Sequence, residues 1–168
     1  GSVWFALVVT GVFAGALGYL VATWVQSRTT AARAALVAQV AEVSVGKQNR
    51  DIRVHRVVCA VDYGLVVNPV GLEGQAESGI IWGLSATLHG KIDFKNGAAV
   101  QENFNDFDVI RMNEAPEVET YIVASDRPPG GFGETAVPPI APAVANAIFA
   151  ATGKRVRALP ITPEKLKA

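Results

Sequence analysis

The chain lacks the residues that mark several common functions. A single cysteine, Cys59, among 168 residues excludes an intrachain disulfide and a cysteine-based zinc cluster within the chain. Excess charge is absent too: 15 lysines and arginines face 15 acids, which leaves no electrostatic footprint for nucleic acid and no polybasic membrane patch. The two histidines, His55 and His89, have no second ligand at metal-binding spacing. They read as a strand-face and a helix-end residue, and no metal ligand is expected from this chain. Asn105, Asp106 and Asp108 lack the glycine and closing glutamate of an EF-hand loop. No phosphate-loop lysine follows the glycines, and GxGxxG is missing, which disfavours nucleotide binding.

What is present is hydrophobic residue, 50% of the chain, enough for one sizeable core and one globular domain. From Val3 to Gln26 (VWFALVVTGVFAGALGYLVATWVQ) no side chain is charged, and about 20 such residues cross a bilayer as a helix. Trp4 and Trp24 bracket the run about 30 Å apart at the helical rise, a spacing suited to an interfacial aromatic belt. Residues 3–26 are therefore predicted to form a transmembrane helix, with Gly11 and Gly15 as a close-approach pair. A hydrophobic helix buried by a partner chain accounts for the same run. A secretory signal is disfavoured because no basic region precedes it. Arg28 and Arg33 follow closely and would leave the remainder in the cytoplasm, making the protein membrane-associated with a soluble cytoplasmic domain.

Beyond this run the pattern is α+β: a mixed sheet with packed helices, preceded by the hydrophobic helix. Residues 27–36 read as a linker, 37–162 as the folded segment and 163–168 as a tail. VAQVAEVSV (37–45) and IRVHRVVCAV (52–61) are β-rich and flank GKQNRD, which predicts a hairpin. Asn68 before Pro69 opens a helix over 69–89. Leu72, Ala76, Ile80, Leu84 and Leu88 share one face of it, Gly79 and Gly83 imply close packing, and Trp82 is assigned to the core. Asn96-Gly97 predicts a second hairpin through a type I′ turn. VETYIV (118–123) is a further strand, IAPAVANAIFAATG (140–153) a helix stopped by Gly153, and RVRALPI a closing strand.

The stretch PPGGFGETAVPP (128–139) sets one acid, Glu134, among three glycines and four prolines. Gly130, Gly131 and Gly133 remove side chains on the approach to the carboxylate, and the prolines restrict its flanks. A positioned general base or an anion site can be built this way; a plain turn has the same composition.

The order of segments adds to this. AVDYGLVVNPVGLEGQAESGIIWGLSATLHGKI, then FNDFDVIRMNEAPEVETYIV, then PPGGFGETAVPPIAPAVANAIFAATGKRVRALPI resembles the C-terminal end of the molybdenum hydroxylase large subunit. This is the xanthine dehydrogenase and aldehyde oxidase family, and the nearest type is the isoquinoline 1-oxidoreductase β-subunit. The resemblance runs from Val37 to Ile161 and leaves residues 3–35 without a counterpart. It implies that Glu134, in the GxGE position, is the catalytic base beside a molybdenum held by a molybdopterin cytosine dinucleotide, in the hydroxylation of an aldehyde or N-heteroaromatic. Gln75, Gly131, Phe132 and Gly133 would belong to the cofactor region, although an exposed helix glutamine accounts equally for Gln75. The resemblance further implies 2Fe-2S clusters on a partner iron-sulfur subunit, and a remaining molybdopterin-binding polypeptide that supplies most cofactor contacts. Two departures stand out: Thr135 replaces the usual proline after the glutamate, and Tyr63 replaces a common cysteine. The reading of another class is a non-catalytic, membrane-anchored binding or assembly module, or a truncated fragment, derived from the same family. The retained GGFGE favours the first reading and the missing cofactor-binding portion the second.

Overall fold

A computed structural model describes residues 36–46 and 51–167. The expected transmembrane helix at 3–26, the body of the linker at 27–36, and the middle of the GKQNRD turn lie outside the described residues. Among the described residues, no helix is long and apolar enough to cross a membrane.

The two β-rich runs form strands β1 (Leu36–Val45) and β2 (Ile52–Asp62). They pair antiparallel, with Leu36 opposite Asp62 and Val45 opposite Ile52. The register shifts between Glu42, opposite Arg56, and Val43, opposite Val54, so His55 is the extra residue of a bulge. That slip changes the parity of side chains. It lets Val54 and Val57, three residues apart, both turn into the core with Cys59 and Val61. His55 itself stays exposed, its Nε2 2.7 Å from Ser44 Oγ.

Strand β5 (Glu117–Ile122) adds to the other edge of β2 in parallel, Arg56 beside Glu117 and Val61 beside Ile122, completing a mixed sheet of order β1-β2-β5. A parallel pair requires a long crossover. Here it begins with helix α1 (Pro69–Leu88), opened as the sequence predicts: Asn68 Oδ1 accepts from Gly71 N at 3.1 Å, and Pro69 occupies the first turn. The crossover returns through a small hairpin, β3 (Phe94–Lys95) and β4 (Ala98–Ala99), shorter than the sequence implied. Its turn is the expected one, Asn96 and Gly97 having φ of 52° and 82°.

Helix α2 (Ile140–Thr152) lies on β1 and ends at Gly153, whose φ of 73° suits a left-handed cap. Helix α1 packs against α2 and β5, which makes a two-layer arrangement of helices on sheet. The apolar stripe Leu72, Ala76, Ile80 and Leu84 is buried. Gly79 and Gly83 bring the loop before α2 onto α1. A Cβ on Gly79 would lie 2.9 Å from Ala136 Cβ, and one on Gly83 would lie 2.6 Å from Val137 O and clash with Ile140 Cγ2.

Two expectations are corrected. Trp82 is 67% exposed rather than in the core; it sits between Ile80 and Leu84 in sequence, about 200° around the helix from the former, and so faces away from the packed stripe. RVRALPI (155–161) is not a strand. Pro160 cannot donate to a ladder, and Ile161 N bonds instead to Thr87 O at 2.7 Å, near the end of α1. One helical turn follows, α3 (Pro163–Lys167), with Leu166 fully buried.

Packing at the glycine stripe generates a paired prediction. Gly83→Ala is expected to cost about 1–3 kcal/mol through overpacking. Gly74→Ala, on the same helix with nothing near its would-be Cβ, is expected to gain about 0.5–1 kcal/mol of helix propensity. Denaturant midpoints of the two variants would show the opposite signs. Cys59 makes a second prediction. Burial pushes its thiol from 9.0 up to about 11, against a smaller opposing hydrogen bond from Gln39. The folded chain therefore holds a proton that the unfolded chain releases above pH 9, and stability falls as pH rises from about 9 to 11. A Cys59→Ser variant should lack that component of the alkaline decline in a pH series of unfolding midpoints.

Candidate functional site

Past the end of β5 the parallel seam continues as single bonds, first to the end of β2 and then between the two loops that follow the strands. Val123 N donates to Val61 O at 2.8 Å, Gly130 N to Tyr63 O at 2.7 Å, and Leu65 N to Arg127 O at 2.7 Å. The seam is tight enough to require glycine at position 64, where φ is +88° and a Cβ would meet Arg127 O at 2.8 Å. Asp62 is 8% exposed. Its carboxylate accepts from Gly64 N at 3.1 Å and pairs with Arg127 Nη2. A carboxylate this buried needs such a charged donor.

Downstream, the Pro-Gly loop is fixed at intervals of three residues. Gly130 is held by Tyr63. Gly133 O accepts from Gln75 Nε2 at 2.5 Å. Ala136 O accepts from Gln39 Nε2 at 2.8 Å, an amide reaching across from β1. Between these anchors the loop closes on itself, Val137 N donating to Glu134 O at 2.8 Å and Thr135 Oγ1 to Gly131 O at 3.2 Å. Thr135 thus restrains the loop through its side-chain hydroxyl.

The seam and the loop enclose one side of an open cleft of about 400 Å³. Its other side is the start of α1. Tyr63, Asn68, Leu72, Gln75, Phe132 and Gly133 are among its walls. Tyr63 and Phe132 meet edge to face, with centroids 6.3 Å apart and an interplanar angle of 77°. Of the residues singled out from the sequence, Gln75, Phe132 and Gly133 line this cleft together. Gly131 and Glu134 flank it without lining it, and both are exposed. Gln75 is exposed as its plain reading required, yet it also fixes the loop.

Sequence reading misses the Asp62–Arg127 pair and the reach of Gln39, because each joins positions far apart in the chain. Tyr63 stands out in the sequence only as a departure, although its place after a strand and before glycine marks a turn. His89 is at the end of α1 as expected, with Nδ1 3.3 Å from Asp108 Oδ2 and Nε2 3.5 Å from Glu114 Oε1. Asp106 accepts from the amides of Glu102 and Asn103, which hold its carboxyl below the usual range.

Residues 6–116 match the family described as the Molybdopterin cofactor-binding domain. The chain belongs to that family. Among relatives of this molybdopterin-binding domain, a nicotinate dehydrogenase subunit of Pseudomonas putida is 34% identical over 152 residues, covering 90% of the chain. The beta chain of isoquinoline 1-oxidoreductase from Brevundimonas diminuta is 36% identical over 127 residues, covering 76%. The aldehyde oxidoreductase structure from Desulfovibrio desulfuricans superposes with a TM-score of 0.67 at 26% identity, over 79% of this chain and 15% of that one. The chain spans only 13% and 16% of the length of the two curated relatives. These matches bear out the expected kinship with molybdenum hydroxylase large subunits and correct its extent. The family match starts at residue 6, so most of the uncharged N-terminal run lies within it. It takes in Tyr63 and Gln75 and ends before the Pro-Gly loop.

The residues present fit a molybdopterin group in one respect that the structure itself supplies. A Cβ built on Gly131 or Gly133 would meet nothing within 4 Å. Neither glycine has the positive φ that requires glycine, and among the described residues the space beside them is open, which leaves room for such a group.

The seam yields its own test. Arg127→Ala removes the charged donor from a buried carboxylate and should cost about 1.5–3 kcal/mol. Asp62→Asn in the Arg127→Ala background should recover part of that loss, read from thermal or denaturant unfolding.

Proposed function

We propose that this domain supplies one wall of the active site of a molybdopterin-dependent oxidoreductase that hydroxylates an aldehyde or an N-heteroaromatic compound. The observation that carries the reading is the anchoring of the Pro-Gly loop at Gly130, Gly133 and Ala136. These bonds hold the backbone of Glu134 still beside an open cleft while leaving its side chain exposed. A base must be positioned before it is useful, and a restrained backbone beneath Glu134 supports that role.

In this reading Glu134 accepts the proton released as the substrate carbon is hydroxylated. Gly131 and Gly133 give the cofactor room to approach, Phe132 closes the cleft floor with Tyr63, and Gln75 holds the loop through Gly133 while its Oε1 stays available as an acceptor. When bound, the molybdenum cofactor, taken to be the cytosine dinucleotide form, supplies the redox chemistry. Because the chain spans so little of its relatives' length, the remaining molybdopterin-binding polypeptide must provide most cofactor contacts. Electrons would leave through 2Fe-2S clusters on a separate iron-sulfur subunit. Most of the hydrophobic run at 3–26 falls within the family match, which begins at residue 6.

The experiment is Glu134→Gln in a complex reconstituted with the remaining molybdopterin polypeptide and the iron-sulfur subunit. Turnover should fall by about 10²–10⁴-fold, the usual worth of a positioned base, with molybdenum per complex unchanged. Unchanged turnover would remove the assigned base, and lost molybdenum would make Glu134 a cofactor-holding residue instead.

A further inference from the structure

The return path from α1 to β5, residues 90–116, is ordered without being buried. None of its side chains is fully buried, and it touches the core through Ile110, which is half-buried. Its shape is kept by polar bonds: Val100 N to Asp93 O at 2.8 Å, Asp93 N to Gln101 Oε1 at 2.7 Å, Phe107 N to Asn103 O at 3.1 Å, and Ile110 N to Ser85 Oγ at 3.2 Å. Yet it carries Phe94, Phe104 and Met112 at 76%, 87% and 95% exposure. Trp82, 67% exposed, lies on α1 one turn before Ser85, where this arm crosses the helix. Single exposed apolar residues are ordinary, but several large ones on one polar-stitched arm mark a surface that is covered in use.

We propose that this arm, with Phe94, Phe104, Met112 and Trp82, is the surface on which the remainder of the molybdopterin-binding polypeptide docks. The inference rests on the functional reading above for the nature of that partner. Length is the argument for this occupant: the chain is 13–16% of its curated relatives, so most of a relative's domain contacts have no counterpart here. The arm falls within the family match, 6–116, and is part of the shared domain rather than an insertion. The chain's own residues 1–35 and a second copy of the chain are the competing occupants, and the test below separates them.

The test introduces cysteine at Phe104 and, separately, at Met112. Each is placed in the full chain and in a chimera where this chain replaces the aligned part of the Brevundimonas diminuta isoquinoline 1-oxidoreductase beta chain. Native Cys59 is buried and its thiol is held protonated, so labelling of the isolated chain by a maleimide reports the new thiol; the unsubstituted chimera serves as blank. Labelling should be fast in the isolated chain and at least about tenfold slower in the chimera. Equal rates would overturn the proposal. Slow labelling of the isolated chain at low concentration would put its own residues 1–35 on the arm, and slowing that appears only at high concentration would put a second copy there; either overturns it. If the chimera is insoluble, the labelled chain is mixed with the same beta chain lacking the aligned part, where protection supports the docking surface and unchanged labelling removes it. Molybdenum content of the chimera is measured separately. Protection without molybdenum keeps the surface and sinks the functional reading, while molybdenum without protection does the reverse.

Discussion

Parallel strands cannot be joined by a tight turn, and the pairing of β2 with β5 therefore forces a long crossover between Asp62 and Glu117. That constraint sets where everything else goes. The crossover starts at the same end of the sheet where β5 delivers the Pro-Gly loop, so two irregular segments emerge side by side. Bonds between Tyr63, Leu65, Arg127 and Gly130 join them. The buried Asp62, paired with Arg127, locks the junction electrostatically. A cleft at the carboxyl ends of parallel strands follows from this arrangement, as it does in open α/β sheets generally.

Glycine has two opposite uses in this fold, and they share a composition. Gly79 and Gly83 are there because a neighbour is too close: Ala136, Val137 and Ile140 occupy the space a side chain would need. A Cβ on Gly131 or Gly133 would meet nothing within 4 Å among the described residues. The first pair draws the end of the Pro-Gly loop onto α1. The second pair leaves the start of that loop open. Between them stands Glu134, whose backbone is restrained on both sides, by Gln75 at Gly133 and by Gln39 at Ala136. A rigid loop on a rigid scaffold is the general way to hold a functional side chain in place.

Burial is uneven across the domain. The core is closed on the helix side of the sheet, where Val57, Cys59, Val61, Ile80, Leu84, Ile140, Val144 and Ile148 are fully buried. The arm at 90–116 contributes no fully buried side chain and touches that core through Ile110. Its hydrogen bonds fix its course, while its large apolar side chains face outward. The chain belongs to the Molybdopterin cofactor-binding domain family and spans only 13–16% of the length of the curated relatives it matches.

The sequence by itself determined the local elements and the family. β-branched runs made β1 and β2, Asn68-Pro69 opened α1, Asn96-Gly97 turned the small hairpin and Gly153 ended α2, because each depends on residues within a few positions of one another. Motif order around GQAESG and GGFGE was enough to indicate molybdenum hydroxylase kinship. Only the tertiary structure decided that Trp82 faces outward, since a helix's buried side is set by what packs on it, and that RVRALPI finds α1 rather than a sheet edge. It alone brought Gln39 to Ala136, Gln75 to Gly133 and Arg127 to Asp62. Those are contacts across 97, 58 and 65 residues, and no local pattern encodes a partner that the chain must fold to meet.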